Sequence, residues 1–246
     1  MQKKKVKGKI RKEGKSAEQS LRGFMKNGDQ NKLHQFRVGV KKLRAVASLI
    51  EQTTPLINVR SELKPLKDTY QLSGQVRDSY LHMKLAENLH VADKEYLSNE
   101  KRVMKKSSRK LRNKRPQHFR MLRRAKAKLL KRIPKIKDKN VGLFYETELS
   151  AIGGCLSSSV EVEQTHECRK RLKVLLYNLP LVKGIDGITV NEEYLDQVQR
   201  AIGDWHDHVL AAEQFPGLGG RSDEMIKEVK TLTENFYERA TTVVKA

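Results

Sequence analysis

The stretch from Leu33 to Ile50, LHQFRVGVKKLRAVASLI, decides the fold class of this chain. Its apolar residues recur every three or four positions. At 100° per residue they cover about 160° to 260° of a helical wheel that has His34 at 0°. This pattern predicts an amphipathic α-helix. The same period recurs along the rest of the sequence, and no stretch shows the alternation of a β-strand, so the sequence predicts an all-α protein.

Eight or nine helices are predicted, in two sets of about four that join near residues 134–140. The predicted helices cover residues 16–27, 29–52, 61–89, 93–114, 117–133, 140–158, 162–179, 191–212 and 222–244. Asn191 and Ser222 are predicted N-caps, and Ser16 with Gln19 fits a capping box. Residues 1–15 are basic and lack the apolar segment of a secretory signal, so we expect a disordered basic arm there.

The composition points to a polyanionic partner. The 246 residues include 51 Lys or Arg against 29 Asp or Glu, which gives a formal net charge of +22. Nucleic acid, an anionic membrane surface and polyphosphate would each relieve the self-repulsion of such a chain. No stretch approaches 18 apolar residues, so membrane insertion is not expected. Cys155 and Cys168 are too few for a disulfide framework or a zinc site, and we expect both to be reduced, as in a cytoplasmic protein.

A stripe of basic residues lies beside the apolar face of the helix predicted for residues 29–52. Relative to His34, the side chains of Arg37, Lys41 and Arg44 fall between about 280° and 340°. A merely solvated charged face would lie opposite the apolar face. The placement predicts that these cations line an inner groove, where only an opposing charge makes their mutual repulsion tolerable. The structural alternative is that Asp78, Asp207 and other carboxylates neutralise them in the core.

Two motifs recur in the same order. His34-Gln-Phe-Arg37-Val-Gly-Val-Lys41 is matched by His166-Glu-Cys-Arg169-Lys-Arg-Leu-Lys173, at an offset of 132 residues. Gly74-Gln-Val-Arg77-Asp78 is matched by Gly203-Asp-Trp-His206-Asp207, at an offset of 129 residues. Two matched motifs at nearly one offset predict an internal duplication.

These four motifs resemble those of the CHAD family, the conserved histidine α-helical domain. The resemblance covers residues 16–244, with repeat one at 16–137 and repeat two at 138–244. It implies two pseudo-symmetric helical bundles of about four helices each around a basic channel, with inorganic polyphosphate as the ligand. The sequence departs from the family pattern at Leu176, where an arginine is usual, and at His206, which replaces the arginine of the second Arg-Asp motif.

Phosphate chemistry fits this set of residues independently of the family name. Each internal phosphate carries one negative charge, and an arginine fork can bridge two phosphate oxygens. The predicted polyphosphate-binding residues are His34, Arg37, Lys41, Lys42, Arg44, Arg77, Arg120, Arg123, Arg124, His166, Arg169, Lys170, Lys173 and His206. The predicted supporting residues are Asp78, Asp207 and Tyr177. Residues 101–137 hold 18 Lys or Arg and no acid, and this run faces either solvent or, through Arg120, Arg123 and Arg124, the channel.

Three functions are weighed. Non-catalytic polyphosphate binding is the first, with phosphate, sulfate and non-specific nucleic acid as further anions and polyphosphate granules in the cytoplasm as the expected location. The second is nucleic-acid binding through residues 1–15 and 101–137, against which the low aromatic content of 6% argues. The third is a metal-dependent phosphohydrolase built on His166, His206 and Asp207. Its repeat-one equivalent of His206 is Arg77, which cannot ligate a metal, so we expect no metal, no cofactor and no enzymatic activity.

Overall fold

The computed structural model describes residues 1–54, 56–88, 94–158, 161–215 and 220–242, and all regular structure in these ranges is helical. The all-α prediction is confirmed. The chain divides into two compact units. We call them the N-terminal unit (Gln2–Glu51 and Pro55–Pro134) and the C-terminal unit (Met1, Gln52–Thr54 and Lys135–Ala246).

The first half of the chain is a series of packed helices. In chain order they are α1 (Lys3–Asn27), α2 (Gln30–Thr53), a 3-10 helix (Arg60–Leu66), α3 (Lys67–Asn88), α4 (Lys94–Asn113) and α5 (Arg115–Lys131). Helix α1 lies along α5, and α3 lies along α4. The apolar face predicted for α2 is buried, with Leu33, Phe36 and Leu43 fully covered. The predicted helical end at residue 89 lies outside the described residues.

The prediction of a disordered arm over residues 1–15 is wrong. Helix α1 begins at Lys3, and Ser16 lies in its interior rather than at a cap. Val6, Ile10 and Ala17 are buried at helical spacing and continue into the apolar face of the same helix. Their burial against the unit stabilises a segment in which most of the lysines are exposed, and the many lysines hid the sparse apolar period in the sequence.

The second half is also a series of packed helices. They are α6 (Asp138–Ser158), α7 (Val162–Val182), α8 (Glu192–Gln214), α9 (Gly220–Thr233) and α10 (Phe236–Thr241). The predicted cap at Asn191 is confirmed, because its Oδ1 accepts the Tyr194 N–H at 3.0 Å. The single helix predicted for 222–244 is interrupted: Asn235 is left-handed at φ 51°, and α9 begins at Gly220 rather than at a Ser222 cap. Residues 243–246 lie outside the described ranges.

A disulfide joins Cys155 on α6 to Cys168 on α7. The expectation that both cysteines are reduced is therefore wrong. Helices α6 and α7 pack against each other, and this packing brings the two side chains together across a sequence separation of 13 residues. The number of cysteines alone carries no information about such a pairing, since it depends on how two neighbouring helices are rotated.

Charge is divided unequally between the two units. The N-terminal unit holds 37 Lys or Arg and 11 Asp or Glu, a net of +26, whereas the C-terminal unit holds 14 and 18, a net of −4. All of the excess positive charge therefore belongs to the first unit. None of the helices in the described ranges combines the length and the apolar content that crossing a bilayer requires.

Candidate anion-binding site

Arg37 of α2 lies directly over Gly74 of α3. Its Nη1 donates to the carbonyl oxygen of Tyr70 at 2.9 Å and to Ser73 Oγ at 3.4 Å. A Cβ at residue 74 would be 2.7 Å from that Nη1, which is closer than side chains approach. The first glycine of the Gly-x-x-Arg-Asp motif is thus the surface on which Arg37 rests.

The C-terminal unit contains the same arrangement. Arg169 of α7 lies over Gly203 of α8, where a Cβ would be 2.7 Å from its Nε. That Nε donates to the carbonyl oxygen of Gln199 at 3.2 Å. Gln199 precedes Gly203 by four residues, as Tyr70 precedes Gly74. The two motifs of each repeat are therefore in contact within each unit, and they make the same contact, which supports the predicted duplication.

An aromatic ring gathers two arginines in the N-terminal unit. The guanidinium carbons of Arg37 and Arg44 lie 4.5 Å and 4.2 Å from the centre of the half-buried Tyr70 ring. In the C-terminal unit the equivalent positions hold Leu176 and Gln199. The C-terminal unit therefore lacks both the second arginine and the aromatic ring that this arginine contacts.

A cleft of about 730 Å³ opens beside Arg37 and Tyr70. Its positive side chains are Arg37, Lys110 of α4 and Lys114 of the turn between α4 and α5, and its carboxylates are Asp68 and Asp78. The basic run at 101–137 therefore contributes to the same cleft as the motif arginine. It does so through Lys110 of α4 and Lys114 of the following turn, whereas the channel-facing alternative named arginines of α5.

The two motif histidines of the C-terminal unit, His166 and His206, are stacked. The rings of His166 and His206 have centroids 4.1 Å apart and an interplanar angle of 26°. The Nδ1 atoms of both rings are buried and lack a hydrogen-bond partner in the described chain. Burial, and then the positive surroundings of His206, Lys170 and Arg169, lower the pKa of His166 to about 4, against a raising effect of Glu167. His166 is therefore neutral near pH 7, and the Nδ1 atoms of the stacked pair are left without a hydrogen-bond partner in the described chain.

Five of the predicted site cations are half-buried, and none of them has a carboxylate within ion-pair distance in the described ranges. They are Arg37, Arg44, Arg77, Arg169 and Lys173. The Nε of Arg77 is also buried without a hydrogen-bond partner there. Burial, and then Arg169, lower the pKa of Lys173, while Asp207 and Asp196 raise it from a greater distance. This arrangement leaves positive charge uncompensated inside both units.

Three other predicted site cations are paired with carboxylates. Lys42 lies 3.7 Å from Glu13, which is itself buried on α1. Lys170 lies 2.9 Å from Glu167 on the same helix. Arg123 makes a pair of hydrogen bonds to Glu18 and thereby joins α5 to α1, and that bond lowers the pKa of Glu18. These side chains contribute to packing and to the surface more than to a ligand site.

The predicted supporting residues include two carboxylates, and both are exposed. Asp78 is exposed and forms no ion pair within the described residues, while Asp207 is exposed with its Oδ1 3.7 Å from His206 Nδ1. Neither carboxylate neutralises the motif arginines, which removes the structural alternative of a charge-balanced core.

His34, Lys41, Arg120 and Arg124 are exposed, and Tyr177 is half-buried. Within the described ranges, no cluster of three or more His, Cys, Asp or Glu is arranged to hold a metal ion.

The comparison with protein families agrees with the motifs. Residues 15–216 match the family model of the CHAD domain, which is most of the chain. The chain belongs to the CHAD family. A comparison with curated proteins finds no match.

A solved CHAD domain shares the fold. The crystal structure of the CHAD domain from the plant Ricinus communis superposes with a TM-score of 0.64 at 17% sequence identity. The match covers 96% of this chain and 86% of that one. The first part of α1, with its lysines, precedes the segment that matches the CHAD family model.

Sequence reasoning missed Tyr70, Lys110 and Lys114 in this CHAD domain. A signal for Tyr70 existed: it lies one helical turn before Gly74, so it shares a face with the motif glycine. No comparable signal marked Lys110 and Lys114, because basic residues surround α4 and continue into the turn that follows it, so periodicity does not separate them. Their position depends on the packing of α4 along α3.

Proposed function

We propose that the protein binds inorganic polyphosphate, without catalysing a reaction on it, through the motif cations of its two units. The observation that carries this proposal is the set of five half-buried cations with no carboxylate partner in the described chain. A charge taken from water and left unpaired costs several kcal/mol, so such groups favour a bound anion. The same reasoning does not apply to Lys42, Lys170 or Arg123, whose partners are internal.

Polyphosphate matches the chemistry of these side chains. Its repeating unit offers one negative charge and free oxygens at every phosphorus, which suits a track of guanidinium and ammonium groups. It has no bases, and the site offers none of the free aromatic surface on which single-stranded nucleic acids stack. The ring of Tyr70 is already covered by Arg37 and Arg44. A channel between the two repeats and association with polyphosphate granules stay predictions within this proposal.

A second candidate, nucleic-acid binding, is favoured by one observation. The exposed faces of α1, α4 and α5 carry most of the +26 charge of the N-terminal unit. Such a surface would attract the backbone of any nucleic acid without reading its sequence, and the affinity would fall steeply with salt.

A direct titration separates the two candidates. Long-chain polyphosphate, duplex DNA and single-stranded RNA are titrated into the protein at matched physiological ionic strength. The proposal expects polyphosphate to bind at least tenfold more tightly than either nucleic acid per unit of charge. Equal affinities, or tighter binding of DNA or RNA, would overturn it in favour of a general polyanion surface. Loss of polyphosphate phosphorus during the titration would overturn the non-catalytic part.

Two variants of equal charge localise the binding. One replaces Arg37, Arg44, Arg169 and Lys173 by alanine, and the other replaces the exposed α1 residues Lys4, Arg11, Lys12 and Lys15. Lys110 and Lys114 are excluded from the control because they line the cleft beside Arg37. Charge-assisted hydrogen bonds are worth roughly 1.5–3 kcal/mol each, against ~1 kcal/mol or less for a screened surface charge. The first variant should therefore lose far more affinity; equal losses would contradict a specific site.

A further inference from the structure

The N-terminal unit holds two guanidinium groups over a single aromatic ring. Arg37 and Arg44 lie 4.5 Å and 4.2 Å from the ring centre of Tyr70, and Arg37 also donates to the Tyr70 carbonyl oxygen. Neither arginine has a carboxylate within ion-pair distance in the described residues. Two like charges so placed would repel, and the negative face of the ring is the group that attracts both.

Attraction to the ring restricts the two arginine side chains before any ligand binds. An arginine side chain has many rotamers, and most of them are lost when a ligand fixes the guanidinium. A guanidinium already held against an aromatic face has lost part of that freedom before the ligand arrives, so binding is less costly. Only Nη1 of Arg37 is hydrogen-bonded in the described chain, so the other N–H donors of both groups remain available to a ligand.

The position of Tyr70 links this pair to a space that fits a ligand. Tyr70 and Arg37 both line the cleft of about 730 Å³, together with Lys110 of α4 and Lys114 of the turn that follows it. Binding pockets for small molecules have volumes of about 300–1,000 Å³. Asp68 and Asp78 lie in the same cleft. Their charge would exclude an anion from part of the cleft and confine it to the side of the arginine and the lysines.

The C-terminal unit provides an internal comparison. Its Arg169 donates to the equivalent backbone carbonyl, through Nε instead of Nη1, and lies over Gly203, the equivalent of Gly74, but the residues equivalent to Tyr70 and Arg44 are Gln199 and Leu176. The aromatic ring and the second arginine are thus present together in one unit and absent together from the other. A ring with a purely structural role in α3 would have no reason to accompany the arginine.

We propose that Tyr70 is a positioning residue for polyphosphate: its ring holds Arg37 and Arg44 ready for adjacent phosphates, which makes the N-terminal unit the tighter of the two subsites. This inference rests on the proposed function. Tyr70 sets the affinity of the subsite, and the N-terminal unit makes the main contact with the ligand. Tyr70 acts through the two arginines.

The test uses the full chain with Tyr70→Gln, which introduces the residue of the other unit, and Tyr70→Phe, which keeps the ring. Long-chain polyphosphate is titrated at several salt concentrations, with circular dichroism to confirm folding. Two cation–ring contacts predict a loss of roughly 5- to 30-fold for Tyr70→Gln. Tyr70→Phe should bind within about twofold of wild type, because the ring face is retained.

The salt dependence distinguishes positioning from loss of charge. Removing a phosphate-contacting cation lowers the slope of log affinity against log salt, as Arg44→Ala should do. Tyr70→Gln removes no charge, so its slope should equal that of the wild type while its affinity is lower. Wild-type affinity in Tyr70→Gln, or equal weakening in Tyr70→Phe, would overturn the inference.

A gain-of-function variant keeps the inference testable if Tyr70→Gln fails to fold. Leu176→Arg with Gln199→Tyr builds the same pair in the C-terminal unit, and Leu176→Arg alone is the charge-matched control. The double variant should bind polyphosphate several-fold more tightly than the control. Equal affinities would overturn the role of the ring while leaving the proposed function intact. A wild-type protein that binds no polyphosphate would overturn both.

Discussion

Arg169 occupies the space in which a side chain at residue 203 would begin, since a Cβ on Gly203 would lie 2.7 Å from its Nε. The atoms in the way belong to the far end of a flexible side chain. Gly203→Ala should therefore move the guanidinium rather than unfold α8. We expect a change in stability within ~1 kcal/mol, because the lost hydrogen bond is offset by the higher helix propensity of alanine. Polyphosphate affinity should fall roughly tenfold or more, since a charge-assisted contact is misplaced.

The matched control for this prediction is Gly154→Ala. Gly154 lies in α6 of the same unit, and a Cβ there would meet nothing within 4 Å. Alanine should leave binding unchanged and stabilise the helix by up to ~1 kcal/mol. Chemical denaturation and a polyphosphate titration measure both effects. Unchanged binding in Gly203→Ala would show that Arg169 does not contact the ligand.

Binding should strengthen as the pH falls below the ordinary histidine range. In the free protein His166 is neutral down to its lowered pKa of about 4. A bound anion favours the charged imidazole and raises that pKa. Affinity should therefore increase as the pH falls from ~6.5 toward 4, and each binding event should take up protons.

Calorimetry in buffers of different ionisation enthalpy measures this proton uptake. His166→Gln should remove the pH dependence below 6.5, whereas His82→Gln in the other unit should retain it. If both variants keep the wild-type dependence, His166 is not in contact with the anion.

His118 should make the N-terminal unit acid-sensitive. It is buried with an exposed fraction of 3%, its Nδ1 lies 2.7 Å from Thr69 Oγ1, and its Nε2 has no partner in the described chain. Burial, then Lys114, lower its pKa. The unfolded chain takes up a proton near pH ~6.5, but the folded chain does not, so stability is lost as the pH falls below that value. Urea unfolding between pH 7 and 5 should show this slope, and His118→Gln should flatten it. An unaltered slope would place the acid sensitivity elsewhere.

Reduction of the Cys155–Cys168 disulfide should destabilise the C-terminal unit. The bond closes a loop with a sequence separation of 13 residues, for which the chain-entropy model gives ~3 kcal/mol. Dithiothreitol should lower the free energy of unfolding by up to that amount. A Cys155→Ser/Cys168→Ser variant should behave like the reduced protein and no longer respond to reductant. A wild type indifferent to dithiothreitol would contradict the prediction.

The helices and the motif pairs could be predicted from the sequence because both depend on local periodicity. The apolar stripe of α2 and the cap at Asn191 are one-dimensional signals, and the structure contains both. The start of α1 was missed because only Val6 and Ile10 mark its buried side among many lysines. The high density of lysines predicted disorder, whereas the sparse apolar residues form a stable helix only because they pack against a neighbouring helix.

The parts of the site that were missed depend on packing between helices. Lys110 belongs to the cleft because α4 lies along α3, and its sequence neighbours are just as basic. Cys155 pairs with Cys168 because α6 and α7 have a particular rotation. Lys42 matched the basic stripe by position, yet α1 supplies Glu13 beside it. Each of these outcomes depends on how a second helix packs against the first, which the periodicity of one helix does not determine.

Because the positive charge is concentrated in one half of the molecule, binding of a polyanion should change the folding stability of that half. Residues 2–134 carry a net +26, so their compact state contains self-repulsion that residues 135–246, at −4, do not share. A polyanion that binds there removes repulsion in addition to forming contacts, and mass action then ties the melting of that half to the supply of the anion. The N-terminal half would thus sense the phosphate reserve of its surroundings through its own folding equilibrium more strongly than the C-terminal half, where binding relieves no net positive repulsion.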